Sequence, residues 1–452
     1  MKQRIENLLL ILLSVTAMLL LYRTMSSGMG FFDLYHPTET EQSELLSPVP
    51  VQPVAAVIGD GKQTIQLTEP HLLTPYFEQL RPILIELFGS AGEPADISAA
   101  EWQTALSGCG ILLDYGAVLP VDVLTGSAGG TLAQRSADSL LIDLSGESAR
   151  LYVCNSADGC AAAQTALKTA DLSALLSAAD GQAVQYAGSY EAAEIDGGML
   201  TRQSAVPLDM SLCAGLTRIP LSSADGTYDR DRQTLILAAF GFDSYTARSY
   251  IDSQGCRVYL SENGALRFGA DGLLSFAAGE AGGVPVNDTG TAAGYAAYAA
   301  ELLQKMLAGL SGQPRYVLSA IETTEAGTQI EFDALAGGYP MVAQNGARTA
   351  ASFVFRNGSL VQAEVMGFTV VITEGGAASG EFLPDMMLST LLSGMQGRVQ
   401  YGRLTPAFVQ TENEWRLTWC VLPVRRHETI LDGDASHLIS APPNHQQGGA
   451  DR

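Results

Sequence analysis

Five histidines, six cysteines and one Asp-Thr-Gly triplet are the parts of this sequence best suited to chemistry. The histidines are His36, His71, His427, His437 and His445. The first lies in a linker-like stretch and the last three in a polar tail, which leaves His71 alone in a segment expected to fold. A Ser/His/Asp hydrolase or a multi-histidine metal enzyme has almost nothing to build with here. The triplet Asp288-Thr289-Gly290 matches the aspartic-protease motif, whose chemistry needs two aspartates sharing one proton. No second copy occurs in the chain, and the triplet precedes a helical pattern, so Asp288 or Thr289 reads as an N-cap.

Other motifs fade for similar reasons. Gly59-Asp-Gly-Lys62 is followed by a strand, whereas a phosphate loop needs Gly-x4-Gly-Lys-Ser/Thr before a helix, so it reads as a β-turn. Gly126-Ser-Ala-Gly-Gly130 lacks dinucleotide-loop spacing and reads as a loop. The 48 acidic residues offer many carboxylate pairs for glycoside hydrolysis, yet none is marked out by its surroundings. Asn287-Asp-Thr and Asn357-Gly-Ser fit a glycosylation sequon, the second being better explained as a hairpin turn. The six cysteines (Cys109, Cys154, Cys160, Cys213, Cys256 and Cys420) permit disulfides, with Cys154 and Cys160 the closest pair. A chain this large does not need staples, and buried free thiols are the expectation. No cofactor and no metal are expected.

The elements that must carry these residues follow from composition and pattern. At 452 residues, 47% hydrophobic and 16% charged, the chain has room for about three domains and a sizeable core. Its net charge of -23 makes nucleic acid a poor partner, because phosphate backbones would repel it. Leu8 to Tyr22 reads LLLILLSVTAMLLLY, uncharged and flanked by Lys2, Arg4 and Arg23. Snorkelling of Arg23 and anchoring by Tyr22 extend this run toward the ~20 residues of a spanning helix. The expectation is an uncleaved signal anchor over 1–25, with a cytoplasmic N-terminus and the bulk of the chain outside. A cleaved signal peptide is the alternative. Removing Lys2, Arg4, Arg23 and Glu6 leaves 22 basic and 47 acidic residues, a net -25 beyond Ser26.

The expected fold class is α+β. A linker over 26–54 leads to a mixed N-terminal domain at 55–223, a β-hairpin and helix domain at 224–312 and a C-terminal repeat of it at 313–426. A disordered tail follows at 427–452. In the first domain, QTIQL (63–67) alternates as a strand, and Thr74 to Phe88 has helical spacing. Ser98-Ala-Ala-Glu101 forms a capping box. Gly110 to Tyr115 reads as a buried strand, Leu119 to Leu124 as a loop entering another element, and Ser139–Leu144 with Ala149–Cys154 as a strand pair. The Ala- and Leu-rich stretch Ala161 to Ala178 reads as one or two helices.

The repeat consists of two Asn-Gly hairpins, at Asn263-Gly264 and Asn357-Gly358. Each is followed by a helix (Tyr295–Leu310 and Pro384–Met395) and a final strand pair. Trp415 and Trp419 alternate with Leu417 along the last strand, so they fall on one face. That face is either sheet core or a recognition groove for a partner.

Three segments resemble the YycH/YycI family of membrane-anchored two-component system regulators. Ala239-Phe-Gly-Phe-Asp-Ser-Tyr-Thr-Ala-Arg248 leading into Cys256-Arg-Val-Tyr-Leu-Ser-Glu-Asn-Gly264 is similar to the YycH middle region. Ile330-Glu-Phe-Asp-Ala334 with Gly338-Tyr-Pro-Met341 and the hairpin at Asn357-Gly358 is similar to the closing domain of both. So is Leu404-Thr-Pro-Ala-Phe408 with the Trp415 strand. Where family members often carry Pro-x-Trp near the end, this chain has Leu422-Pro-Val. The resemblance implies a non-enzymatic extracytoplasmic regulator that binds a sensor histidine kinase controlling cell-wall metabolism, alone or with a paralogous YycI-like protein. A surface module that binds peptide or glycan is the alternative. Contact is expected through the membrane helix, where Ser14, Thr16 and Ala17 are the small or polar residues suited to helix packing, and through Trp415 and Trp419.

Overall fold

The computed structural model describes residues 51–177, 182–186, 199–200, 205–207, 215–220, 230–373 and 401–423, apart from 62, 127–129, 156–158, 244–245, 270, 280–281, 287–289, 308–311, 345 and 412–413. The expected anchor and tail, the linker up to residue 50, Asp288 and Thr289 of the triplet and the Pro384–Met395 helix lie outside these residues, as do Ser14, Thr16 and Ala17; the end of the expected linker is instead packed into the fold, with Val51 buried. Among the described residues no helix is long and apolar enough to cross a membrane.

The chain opens with β1 (Ala55–Asp60), β2 (Thr64–Leu67), helix α1 (Pro70–Ser90), β3 (Ala95–Ile97) and α2 (Ala99–Leu106). Then come β4 (Cys109–Pro120), α3 (Val121–Thr125), β5 (Ser136–Asp143), β6 (Ser148–Asn155), β7 (Gly159–Lys168) and α4 (Thr169–Leu172). Short strands follow at β8 (Gln182–Tyr186), β9 (Met199–Leu200), β10 (Ala205–Pro207) and β11 (Gly215–Pro220), before α5 (Arg230–Ala239). Next are β12 (Arg248–Ile251), β13 (Arg257–Ser261), β14 (Gly264–Phe268), β15 (Leu273–Ala278), β16 (Val284–Pro285) and α6 (Ala292–Leu307). The chain continues through β17 (Arg315–Thr324), β18 (Gly327–Ala336), β19 (Tyr339–Val342), β20 (Thr349–Arg356), β21 (Ser359–Met366) and β22 (Phe368–Thr373). It closes with β23 (Tyr401–Gln410) and β24 (Trp415–Pro423). The fold is mixed helix and sheet, and mostly sheet.

Nine strands form one sheet in the order β10-β8-β2-β1-β4-β5-β6-β7-β3. Helices cover both of its faces. On one side α1 buries Leu73, Phe77, Leu80, Leu84, Leu87 and Phe88. On the other, Trp102, Ala105 and Leu106 of α2 meet Val57, Leu112, Leu141 and Tyr152. The expected capping box is present, with Ser98 Oγ accepting from Glu101 N–H at 3.2 Å. Coverage on both faces explains why β4 is a nearly continuous buried run and not an alternating one.

The same burial corrects the helix expected at Ala161–Ala178. Residues up to Lys168 are β7, and only Thr169–Leu172 and a 3₁₀ turn at Ser173–Ser177 are helical. Ala161 and Ala163 pack in the α1-side core while Ala162 packs under α2. Small residues on both faces let two helices approach, and that overrides the helix propensity of alanine. The expectation of free thiols is corrected here too. Cys154 and Cys160 sit opposite each other in the β6–β7 ladder and form a disulfide. A six-residue separation gives no hint of this until the hairpin register is known. Cys109, Cys256 and Cys420 are free.

The second sheet has fifteen strands, its main path running β12-β13-β14-β15-β21-β20-β18-β19-β23-β24-β11-β22. Pairing of β15 with β21 joins the two expected repeats into one sheet. The Asn357-Gly358 hairpin forms as expected, with both residues at positive φ (51° and 76°). The first hairpin turns one residue earlier, on Glu262-Asn263, because Ser261 and Gly264 are already paired. Gly264 is needed for another reason. At φ 146° it lies so close to β15 that a Cβ would collide with the Ala277 carbonyl. Helix α6 begins at Ala292, capped by Thr291, whose Oγ1 accepts from Gly294 N–H at 3.1 Å. The cap is therefore Thr291, not Asp288 or Thr289.

One core cluster runs through both sheets, from α1, β1 and β4–β7 to α6, β14, β15, β18, β20 and β21. Arg315 fastens the junction: its Nη2 donates to the carbonyls of Pro53 (3.2 Å) and Val54 (2.8 Å), just before β1. Burial pulls its pKa down to about 10, so it still carries its charge at neutral pH.

Candidate functional site

A cleft opens where β1 and β4 of the first sheet meet β17, β18, β19 and β23 of the second. Its polar lining includes Asp114, Tyr115, Ser319, Asp333 and Arg348. Arg348 Nε lies 3.5 Å from Asp333 Oδ2, with both side chains more than nine-tenths buried. The guanidinium is thereby committed to a carboxylate and not offered to a ligand. Burial pushes the Tyr115 hydroxyl far above the ordinary phenol range, so it would not exchange protons near neutral pH. The cleft volume is about 60 Å³, well below the several hundred Å³ usual for a small-molecule site. Its chemistry suits holding two sheets together.

Of the tryptophan pair, only Trp415 has a described side chain. Trp415 is buried among Leu216, Ala334, Ala336, Met341, Phe368, Phe408 and Leu417. With Leu417 it forms the inner face of β24, as strand alternation requires. Trp419 stands opposite Pro406 in the β23–β24 ladder, and its side chain lies outside the described residues. One residue further, Cys420 is fully buried, and burial pushes its thiol up to about 12. Native protein treated with iodoacetamide at pH 8 should therefore leave Cys420 unmodified by mass spectrometry, with full modification only after denaturation. Rapid labelling of the native protein would contradict the burial.

The surface feature that sequence reading missed is the β12 edge. All four residues of β12 are exposed. Tyr250 (51% exposed) shares a face with Leu260 (40%) of β13, and Ile251 (65%) lies on the other face, opposite Arg257. β12 ends the main path of the large sheet, so among the described residues its outer backbone groups have no strand partner. A tight turn holds it in place. Asp252 Oδ1 accepts from the N–H groups of Gln254 and Cys256. Its Oδ2 accepts from Arg267 Nε at 2.9 Å. The Cys256 N–H, with Gln254 N–H and Arg267, holds the Asp252 carboxyl below the usual range. Arg-Ser-Tyr-Ile gave a faint signal for this edge, being too short and mixed to read as a core strand.

No family model and no curated relative matches the sequence. Among solved structures, the fold is similar to the crystal structure of YycH from Bacillus subtilis, with 11% identity and a TM-score of 0.49. That likeness covers 83% of this chain and 94% of the other. The chain resembles YycH. A crystal structure of an uncharacterized protein from Eubacterium rectale is also similar over 54% of this chain and 86% of that one, at 11% identity and a TM-score of 0.34.

Proposed function

We propose that this chain is a non-enzymatic, membrane-anchored regulator outside the cytoplasm that binds and modulates a sensor histidine kinase of a two-component system. A paralogous YycI-like protein is a further partner in this reading. The observation that carries it is where the resembling segments lie. Ala239–Gly264, Ile330–Gly358 and Leu404–Trp415 are far apart in sequence, yet their strands belong to one fifteen-stranded sheet. Two further features support the location. The apolar run Leu8–Tyr22 follows Lys2 and Arg4, as in a signal anchor with a cytoplasmic N-terminus. The Cys154–Cys160 disulfide suits an oxidising compartment. The division of the folded part at 223 and 312 belongs to the same proposal.

Co-purification of the detergent-solubilised full chain should recover a membrane histidine kinase. Recovery of cell-wall enzymes with no kinase would overturn the regulator reading and favour a surface binding module for peptide or glycan.

The disulfide gives a separate expectation. Replacing Cys154 and Cys160 together with serine should destabilise the chain by about 2 kcal/mol, from the loop-closure entropy of so short a loop. Chemical denaturation under non-reducing conditions measures it. An unchanged midpoint would mean that the bond contributes nothing to the fold.

A further inference from the structure

Strand β12 offers a place for a second polypeptide to join the sheet. Because Asp252 N–H donates inward to the Cys256 carbonyl, antiparallel alternation points the main-chain groups of Ile251 and Ser249 away from β13. These are the donors and acceptors that an added strand would use. The side chains around them are not those of a protected edge. Tyr250, Ile251 and Leu260 are exposed, and no proline interrupts the strand.

Charge narrows the occupant. In a chain of net charge -23, this edge displays two exposed arginines, Arg248 and Arg257. Arg248 stands opposite Leu260, and Arg257 stands opposite Ile251. Since directly opposed residues share a face and neighbours alternate, the two arginines lie on opposite faces of the sheet. Among the described residues neither forms an ion pair. Arg267, the third arginine nearby, is already committed to Asp252. A second copy of the chain suits the edge poorly. Antiparallel pairing of β12 with its own copy would bring two Arg248 side chains to one seam, with an Arg257 one strand behind on each side, between two strongly acidic bodies.

We infer that β12 takes, by strand addition, an extended segment of another protein in which apolar residues alternate with polar ones and acidic side chains fall on both faces. This goes beyond the kinase proposal and holds whichever protein supplies the segment.

The test uses the full chain in detergent micelles and a fluorescein-labelled peptide, Thr-Glu-Val-Thr-Val-Thr-Glu-Val, read by fluorescence anisotropy. A control peptide carries lysine in place of each glutamate. The acidic peptide should bind saturably and at least about tenfold more tightly than the control. Ser249→Pro removes an outward N–H while sparing the β13 ladder, as edge strands tolerate, and should weaken binding by at least about tenfold. Arg248→Glu combined with Arg257→Glu leaves the backbone intact and should reverse the preference between the two peptides. Unchanged thermal melting shows that both variants remain folded. Absence of saturable binding, equal binding of both peptides, or indifference to both variants would overturn the inference. Self-association of the wild type that Ser249→Pro abolishes would overturn it in favour of a second copy.

Discussion

Truncating Phe355 to alanine is expected to destabilise the chain by about 3–5 kcal/mol, the usual cost of deleting a fully buried aromatic ring. Phe355 lies in β20 at 1% exposure, inside the core cluster common to both sheets. Its ring stacks on Tyr295 of α6, with centroids 4.6 Å apart and planes 7° from parallel. Tyr298, one helical turn on, meets it edge-on at 6.0 Å. The Tyr295 hydroxyl in turn accepts from Gly358 N–H at 3.2 Å, which ties the helix to the tip of the β20–β21 hairpin. Removing the ring therefore leaves a cavity and loosens the docking of α6 on the sheet. Phe355→Leu keeps much of the volume and should cost less than half as much, roughly 1–2 kcal/mol. Urea denaturation of the full chain and both variants measures the difference. A loss below about 1 kcal/mol for the alanine variant would mean that neighbouring side chains collapse into the space.

Arg348→Met is expected to cost about 3–5 kcal/mol, because it strips buried Asp333 of the guanidinium beside it. Asp333 sits where the register of β18 against β20 shifts, opposite Thr349, so it cannot swing to solvent without unpairing strands. The companion variant is the sharper part of the test. Converting the pair together, Arg348→Met with Asp333→Leu, removes both charges and should restore most of the lost stability. Replacing a buried ion pair by apolar residues of similar volume is often neutral or favourable. If the double variant were as unstable as the single one, the pair would matter for geometry more than for charge. Comparison of denaturation midpoints for wild type, both single variants and the double variant completes the cycle.

Much of the local structure was legible because it depends on neighbours in sequence. The capping box at Ser98, the Asn357-Gly358 turn, the α1 periodicity and the inward stripe of Trp415 and Leu417 are set within a few residues of one another. Errors arose where a distant element decided the outcome. Ala161–Lys168 has the composition of a helix, but α1 and α2 press on it from both sides and make it a strand. The first hairpin turns one residue early because Ser261 and Gly264 are already paired, a register its local sequence does not reveal. Cys154 and Cys160 became a bonded pair only when β6 and β7 aligned them. Thr291, not Asp288 or Thr289, caps α6, since a shift of two or three residues in the helix start decides which side chain meets the free N–H.

The candidate surface was the least legible part. An edge strand is defined by what fails to pair with it, and no local pattern records an absent neighbour. The sequence by itself determined a large acidic chain with few groups for catalysis, a basic-flanked apolar run, and strands and helices rich enough to build a layered α+β body. It also carried the phrases that resemble one regulator family. Only the tertiary structure decided that two expected repeats merge into one sheet, that Arg348 and Asp333 are sealed at the junction, and that Arg248–Ile251 stands uncovered among the described residues. Hydrophobic pattern and turn chemistry act over a few residues, whereas sheet order, register and burial depend on segments distant in sequence, as in the pairing of Leu274 with Val365. Those long-range pairings placed the exposed edge and closed the cleft.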